Sequence, residues 1–141
     1  MATVHGKRLR LGKLGELQVA INLLEKDWDV YFPFIDVGGG IDLIAIKNNI
    51  IWTLQVKNQR YVHKNRGETS KEFRYGGTPA DFLVFPMIVD DTLHIIYYPH
   101  FGKSQDSKDG STIAISFKEP KNKQIIGINW WEDFLHLPEE I

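Results

Sequence analysis

The chain lacks cysteine, long apolar runs and any marked excess of charge of one sign, and each shortage removes a class of protein. Without cysteine there is no disulfide framework and no thiolate zinc site, so any metal must be held by oxygen or imidazole. That usage fits a reducing compartment. The Met-Ala-Thr-Val-His start has no apolar stretch of signal-peptide length, and no later segment approaches the ~18 consecutive apolar residues of a membrane span. A soluble, cytoplasmic protein with no membrane partner is expected. The formal net charge is −1 and the pI about 6.5, whereas a generic nucleic-acid binder is basic throughout. Internal repeats and low-complexity tracts are missing too. So are a phosphate-cradling glycine loop and a nucleophile elbow, because Gly38-Gly39-Gly40 precedes a predicted strand, not a helix.

What is present is a normal complement of core residues: 43% apolar and 12% aromatic over 141 residues, enough for one domain spanning the whole chain. The charges are unevenly placed. Lys7, Arg8, Arg10 and Lys13 precede the first acid, Glu16, and a second basic segment runs through Lys57, Arg60, Lys64, Arg66, Lys71 and Arg74. Glu132, Asp133, Glu139 and Glu140 make the C-terminal end acidic, so a molecule with one basic face is expected. The alternative is two ordinary solvated faces.

From Lys13 to Trp28, Leu14, Leu17, Ile21, Leu24 and Trp28 recur at three and four, which predicts an amphipathic helix. Asp29 to Phe34, Ile41 to Lys47 and Ile50 to Lys57 are short, β-branched and aromatic, and read as three strands. Asn48-Asn49 can take the positive φ of a two-residue hairpin turn between the second and third. Gln59 to Thr78 reads as a long basic loop, with a short helix near Pro79. Asp81 to Pro86 and Leu93 to Tyr98 are near-continuous apolar runs, expected to be strands covered on both faces. Thr112 to Phe117 is a weaker strand, and Asn129 is placed to cap a terminal helix, Trp130 to His136. The order predicts an α/β domain with a mixed β-sheet flanked by helices.

One helical residue stands out: Glu16 falls within the arc set by Leu23, Ala20, Leu24, Leu17 and Ile21. A buried carboxylate needs a cation, a metal or donors; otherwise it leans out to water or pairs with Lys13. The hairpin gives a sharper expectation. A two-residue turn at Asn48-Asn49 pairs every residue i with 97 − i, which sets Asp42 opposite Gln55, with Lys57 diagonal on the same face. Ile44 and Ile51 share that face, so it is expected to point at the core and the first helix. An acid, an amide and a lysine gathered there suit phosphodiester cleavage with a hard, oxygen-liganded cation. Asp42 would be the principal ligand, with Gln55, the Val56 carbonyl and Glu16 completing the set. Lys57 would orient the attacking water or offset charge on phosphorus. Gln-x-Lys by itself is equally the polar end of an exposed strand.

Gly15-Glu16 on the helix, Gly40-Ile41-Asp42-Leu43-Ile44-Ala45, Gln55-Val56-Lys57 and Ala80-Asp81-Phe82-Leu83-Val84 together resemble the PD-(D/E)XK nuclease superfamily. The likeness covers roughly Leu14 to Tyr98, and the motif order is similar to that of archaeal Holliday-junction resolvases and small intron-encoded homing endonucleases. The resemblance implies a restriction-endonuclease-like core, an active-site set of Glu16, Asp42, Gln55 and Lys57, Mg²⁺ or Mn²⁺ as cofactor, and a homodimeric enzyme acting on DNA. Gln55 stands where the third motif usually has an acid, which removes one negative charge from the site. A noncatalytic DNA-binding or assembly module of the same fold is therefore the alternative.

Lys7, Arg8 and Arg10, with Lys64, Arg66, Lys71 and Arg74, are the candidate DNA contacts, the latter four interleaved with Tyr61, His63 and Tyr75. Asp36 fits a turn better than an outer acid, and Asp81 can simply begin a strand. His5, His94, His100 and His136 have no metal-ligand spacing. Trp130, Trp131 and Phe134 are expected to pin the terminal helix, or to serve a dimer interface.

Overall fold

The computed structural model describes residues 4–34, 39–58, 61–63, 70–75, 78–100, 111–117 and 130–140. A helix, α1 (Val4–Glu25), is followed by β1 (Asp29–Tyr31), β2 (Leu43–Lys47), β3 (Ile50–Val56), β4 (Tyr61–His63), β5 (Ser70–Tyr75), β6 (Phe82–Val89), β7 (Thr92–Pro99), β8 (Ser111–Ser116) and a 3-10 turn, Trp131–Phe134. No helix among the described residues is long and apolar enough to cross a membrane.

α1 starts earlier than the periodicity from Lys13 indicates and stops before Trp28. The stop is local. Asp27 adopts φ 66°, while the Trp28 N–H donates to Leu23 O (3.0 Å) and the Asp27 N–H to Leu24 O (3.1 Å). This is a helix end closed by a left-handed residue, and Trp28 folds back against Leu23 in the core as the apolar partner such ends favour. The buried face of α1 also differs from the expected one. Gly15, Val19, Ala20 and Leu23 point inward, whereas Leu14, Leu17, Ile21 and Leu24 are exposed.

The main sheet runs β1-β2-β3-β6, with β6 paired in addition to β4 and β7. It is mixed: β1-β2, β2-β3 and β6-β7 are antiparallel, while β3 and β4 lie parallel to β6. Two hairpins carry two-residue turns with positive φ throughout, Asn48 and Asn49 (50° and 67°) and Asp90 and Asp91 (49° and 63°). Such turns match the right-handed strand twist. Lys47 pairs with Ile50 and Leu43 with Leu54, which is the 97 − i register.

β6 is the central template. β7 pairs with all of it, so β3 and β4 share its other edge, β3 on Phe82–Val84 and β4 on Met87–Val89. Pro86 falls in the interval between them. Val84 O accepts the Lys57 N–H across that edge (2.8 Å), and alternation turns the Pro86 nitrogen to the same side. A proline is tolerated mid-sheet because no ladder bond is required of it there.

β6 and β7 are covered on both faces, as their continuous apolar runs imply. Phe82, Val84, Ile95 and Tyr97 pack with Val19, Ala20 and Leu23 of α1. On the far face, Leu83, Phe85, Met87, Val89 and Ile96 meet Ile113, Ile115 and Trp131. β8 pairs antiparallel with β5 as a separate two-stranded ribbon, so the chain forms helix, sheet and ribbon layers. The stretch expected to be a loop from Gln59 to Thr78 thus contains β4 and β5, and Thr78 to Ala80 is not helical. The terminal helix is a single 3-10 turn with Trp130 at its N-cap position and no side-chain cap; Asn129 lies outside the described residues.

Leu23→Ala removes a fully buried side chain and is expected to lower unfolding free energy by about 2–5 kcal/mol. Leu9→Ala, on the exposed side of α1, should change it by less than ~0.5 kcal/mol; urea denaturation of both variants checks the orientation of the helix.

Candidate active site

β2 begins one residue after Asp42. Regular pairing stops at Leu43↔Leu54, one residue short of Asp42, and the Asp42 N–H donates to Leu54 O (2.8 Å). The Asp42 carboxylate then reaches past the ladder and accepts the Val56 N–H at Oδ2 (2.8 Å). Asp42 is therefore attached to β3 through its side chain, beside the strand end that carries Gln55 and Lys57.

The approach to Asp42 is held from the opposite direction. Gly40 has φ 76°, and a Cβ there would lie 3.0 Å from Thr78 Oγ1 and 3.1 Å from Pro79 Cδ. The Thr78 hydroxyl donates to Gly40 O (2.8 Å). Asp81 is structural: its Oδ2 accepts from the Thr53 N–H (3.0 Å) and hydroxyl (3.1 Å), locking β3 to the start of β6.

Glu16 is half-buried and lines one small concavity with Lys13, Phe32, Pro33, Ile41 and Asp42. Its Oε2 accepts from Lys13 Nζ at 2.6 Å. Glu16 and Asp42 thus line one concavity beside α1, and the Glu16 carboxylate carries a lysine.

Gln55 is placed differently from expectation. Leu43, Ala45, Ile50 and Leu54 face α1, so the strand period turns Gln55, like exposed Ile51, to the other face, next in register to Leu83. The assumption that Ile44 and Ile51 mark the helix-facing side is corrected by this packing: the residues between them carry the core. Gln55 Oε1 is buried and has no hydrogen-bond partner among the described residues. An unsatisfied buried amide oxygen costs about 1–3 kcal/mol, so it is a group awaiting a donor or a cation. Lys57, two residues on, is half-buried, with its N–H given to Val84 O.

Hard oxygen donors lie on both faces of this strand end: the Glu16 and Asp42 carboxylates at the α1-side concavity, and the Gln55 amide oxygen on the other face. They suit Mg²⁺ or Mn²⁺ in chemical type. Among the described residues no group of three His, Cys, Asp or Glu side chains is assembled to hold a metal, so neutral ligands would have to complete such a set.

Asn58, which sequence reasoning passed over, and Gly15, which it named only as Glu16's neighbour, join the halves of this corner. Asn58 Nδ2 donates to Leu11 O of α1 (2.7 Å), and Gly15 gives it room: a Cβ on Gly15 would lie 2.7 Å from Asn58 Cβ. The contact docks the end of β3 on the helical turn bearing Glu16. A glycine inside a helix, where it costs about 1 kcal/mol relative to alanine, was the available signal.

Of the candidate DNA contacts, Lys7, Arg8 and Arg10 are exposed on the first turns of α1. Lys71 and Arg74 lie in β5, in register with Ile115 and Thr112. Lys64, Arg66 and Asp36 lie outside the described residues.

No protein-family model matches the chain, and no curated protein matches it. Among solved structures it is similar to the bacterial homing endonuclease I-Ssp6803I, with a TM-score of 0.54, 19% sequence identity and 82% of each chain covered. At that identity the likeness is one of fold: the mixed sheet with its packed helix is an architecture shared with a homing endonuclease.

Gly15→Ala should lower stability by about 1–3 kcal/mol despite alanine's better helix propensity, because the added methyl meets Asn58. Adding Asn58→Gly should recover part of that loss in urea unfolding, since it removes the opposing Cβ at the expense of the bond to Leu11 O.

Proposed function

We propose that the chain is an endodeoxyribonuclease that hydrolyses DNA phosphodiester bonds with Mg²⁺ or Mn²⁺. The observation that carries the reading is the Asp42 carboxylate, held by the Val56 N–H at a concavity that Glu16 also lines. A fold shared with a homing endonuclease supports it.

In this reading Asp42, oriented by the Val56 N–H, is the principal ligand, the Val56 carbonyl supplies a neutral oxygen, and Gln55 would add its own by turning round the strand end from the other face. Glu16 contributes directly or through a water once Lys13 turns aside. When bound, the cation would draw charge from the scissile phosphate and favour attack by water. Lys57 orients that water and offsets charge developing on the phosphoryl oxygens. Replacing the usual acid by Gln55 leaves the site with less negative charge, so weaker cation binding follows, with occupancy helped by the phosphate itself. Lys7, Arg8 and Arg10, together with Lys64, Arg66, Lys71 and Arg74, contact the DNA backbone, and a homodimer presents two such sites to the two strands.

Plasmid and branched DNA incubated with Mg²⁺ or Mn²⁺ should be cut by the wild-type chain, and Asp42→Ala or Lys57→Ala should each reduce the rate by about 100-fold or more. Activity that survives both substitutions would exclude this site. Mn²⁺ should also raise the wild-type melting temperature by mass action, and should fail to do so for Asp42→Ala. Binding of DNA without cleavage in either metal would mark the fold as a noncatalytic module instead. Alanine at Lys7 and Arg8 should weaken DNA binding and flatten its dependence on salt.

A further inference from the structure

α1 is apolar on two opposite sides. Gly15, Val19, Ala20 and Leu23 enter the core, while Leu14, Leu17, Ile21 and Leu24 are 45%, 46%, 57% and 58% exposed. At about 100° per residue, the second set forms one stripe centred roughly opposite the first. Its spacing of three, four and three is that of alternating heptad seam positions. An open groove between Lys7, Arg10, Leu11 and Leu14 continues the surface toward the N-terminus.

We propose that this stripe is the docking surface for a second copy of the chain, with the two α1 helices antiparallel about a two-fold axis near Val19. The register argues for that occupant. Inverted about residue 19, Leu14 falls opposite Leu24 of the second copy and Leu17 opposite Ile21, so every member of the stripe meets another member, as an isologous interface requires.

The charges argue the same way. α1 has no acid in its first turn and no base in its last; Lys7, Arg8, Arg10 and Lys13 occupy its beginning, and Glu25 closes it, with Lys26 turned inward to Leu135 O and Asp27 just beyond. For a lone helix this arrangement opposes the macrodipole. In the antiparallel pair, Glu25 and Asp27 of the second copy come level with Arg10 and Lys13, and each unfavourable end is met by the opposite sign. Acidic residues at that end also disfavour an anionic lipid surface as the occupant. Lys7 and Arg8 extend beyond the pair and stay open to a phosphate backbone. The interface stands on these observations whether or not the chain cleaves DNA.

Sedimentation equilibrium over a range of concentrations should give a dimer for the wild-type chain. Ile21→Asp should halve the mass while leaving far-UV circular dichroism unchanged, because Ile21 belongs to no core within one chain. The chain has no cysteine of its own, so introduced thiols report the geometry directly. An equal mixture of Leu14→Cys and Leu24→Cys proteins should cross-link between unlike chains on mild oxidation. Neither variant should do so alone, since like positions lie about 15 Å apart along antiparallel helices. A wild-type chain that stays monomeric overturns the proposal, including one that instead co-sediments with phosphatidylcholine vesicles. So does a dimer that Ile21→Asp leaves intact, or a Leu14→Cys protein that cross-links to itself.

Discussion

The hydrogen bond from the Val56 N–H to the Asp42 carboxylate is the constraint around which the candidate site is arranged. It exists because the Asn48-Asn49 turn fixes the β2-β3 register, which ends pairing at Leu43↔Leu54 and leaves β3 extending past β2. An N–H on that overhang would otherwise lack a partner, and Asp42 supplies one. Fold and chemistry thus share one bond: the same carboxylate that completes the hydrogen bonding of the sheet is held at the concavity containing Glu16. Gly40, Thr78 and Asp81 serve the same end by holding the strands that flank it.

The hairpin was legible because its determinants are local. Two residues able to take positive φ stand between two β-branched runs, and few other structures satisfy both. β6 and β7 were legible for a related reason, since a run apolar at every position must be covered twice. α1 was harder. Its sequence carries two apolar arcs, and periodicity ranks arcs by side-chain size, so it chose leucines and isoleucine over Gly15, Val19 and Ala20. The smaller arc won the core because it lets the helix approach the sheet closely, and Asn58 approach the helix. The strand Ser70–Tyr75 was hidden by its polar composition: it pairs with β8 alone, in a ribbon outside the main sheet.

The candidate site was readable as a set of residues and less so as a shape. Glu16 and Asp42 share a concavity, but Gln55 alternates to the face away from α1 because Leu54 and Val56 are committed to the core. One-residue alternation is decided by which face a whole strand buries, and that depends on the partner layers more than on the strand itself. The Lys13 pairing with Glu16 was foreseeable from spacing, as a contact one helical turn apart.

Pro86 gives the sheet a discontinuity. Because β3 and β4 lean on separate halves of one strand, and Pro86, one of the two residues between those halves, cannot donate, the ladder along that border is interrupted among the described residues. The strand end at Lys57 and β4 are therefore each tied to β6 by their own pairs, while β7 pairs along the whole of β6 behind both.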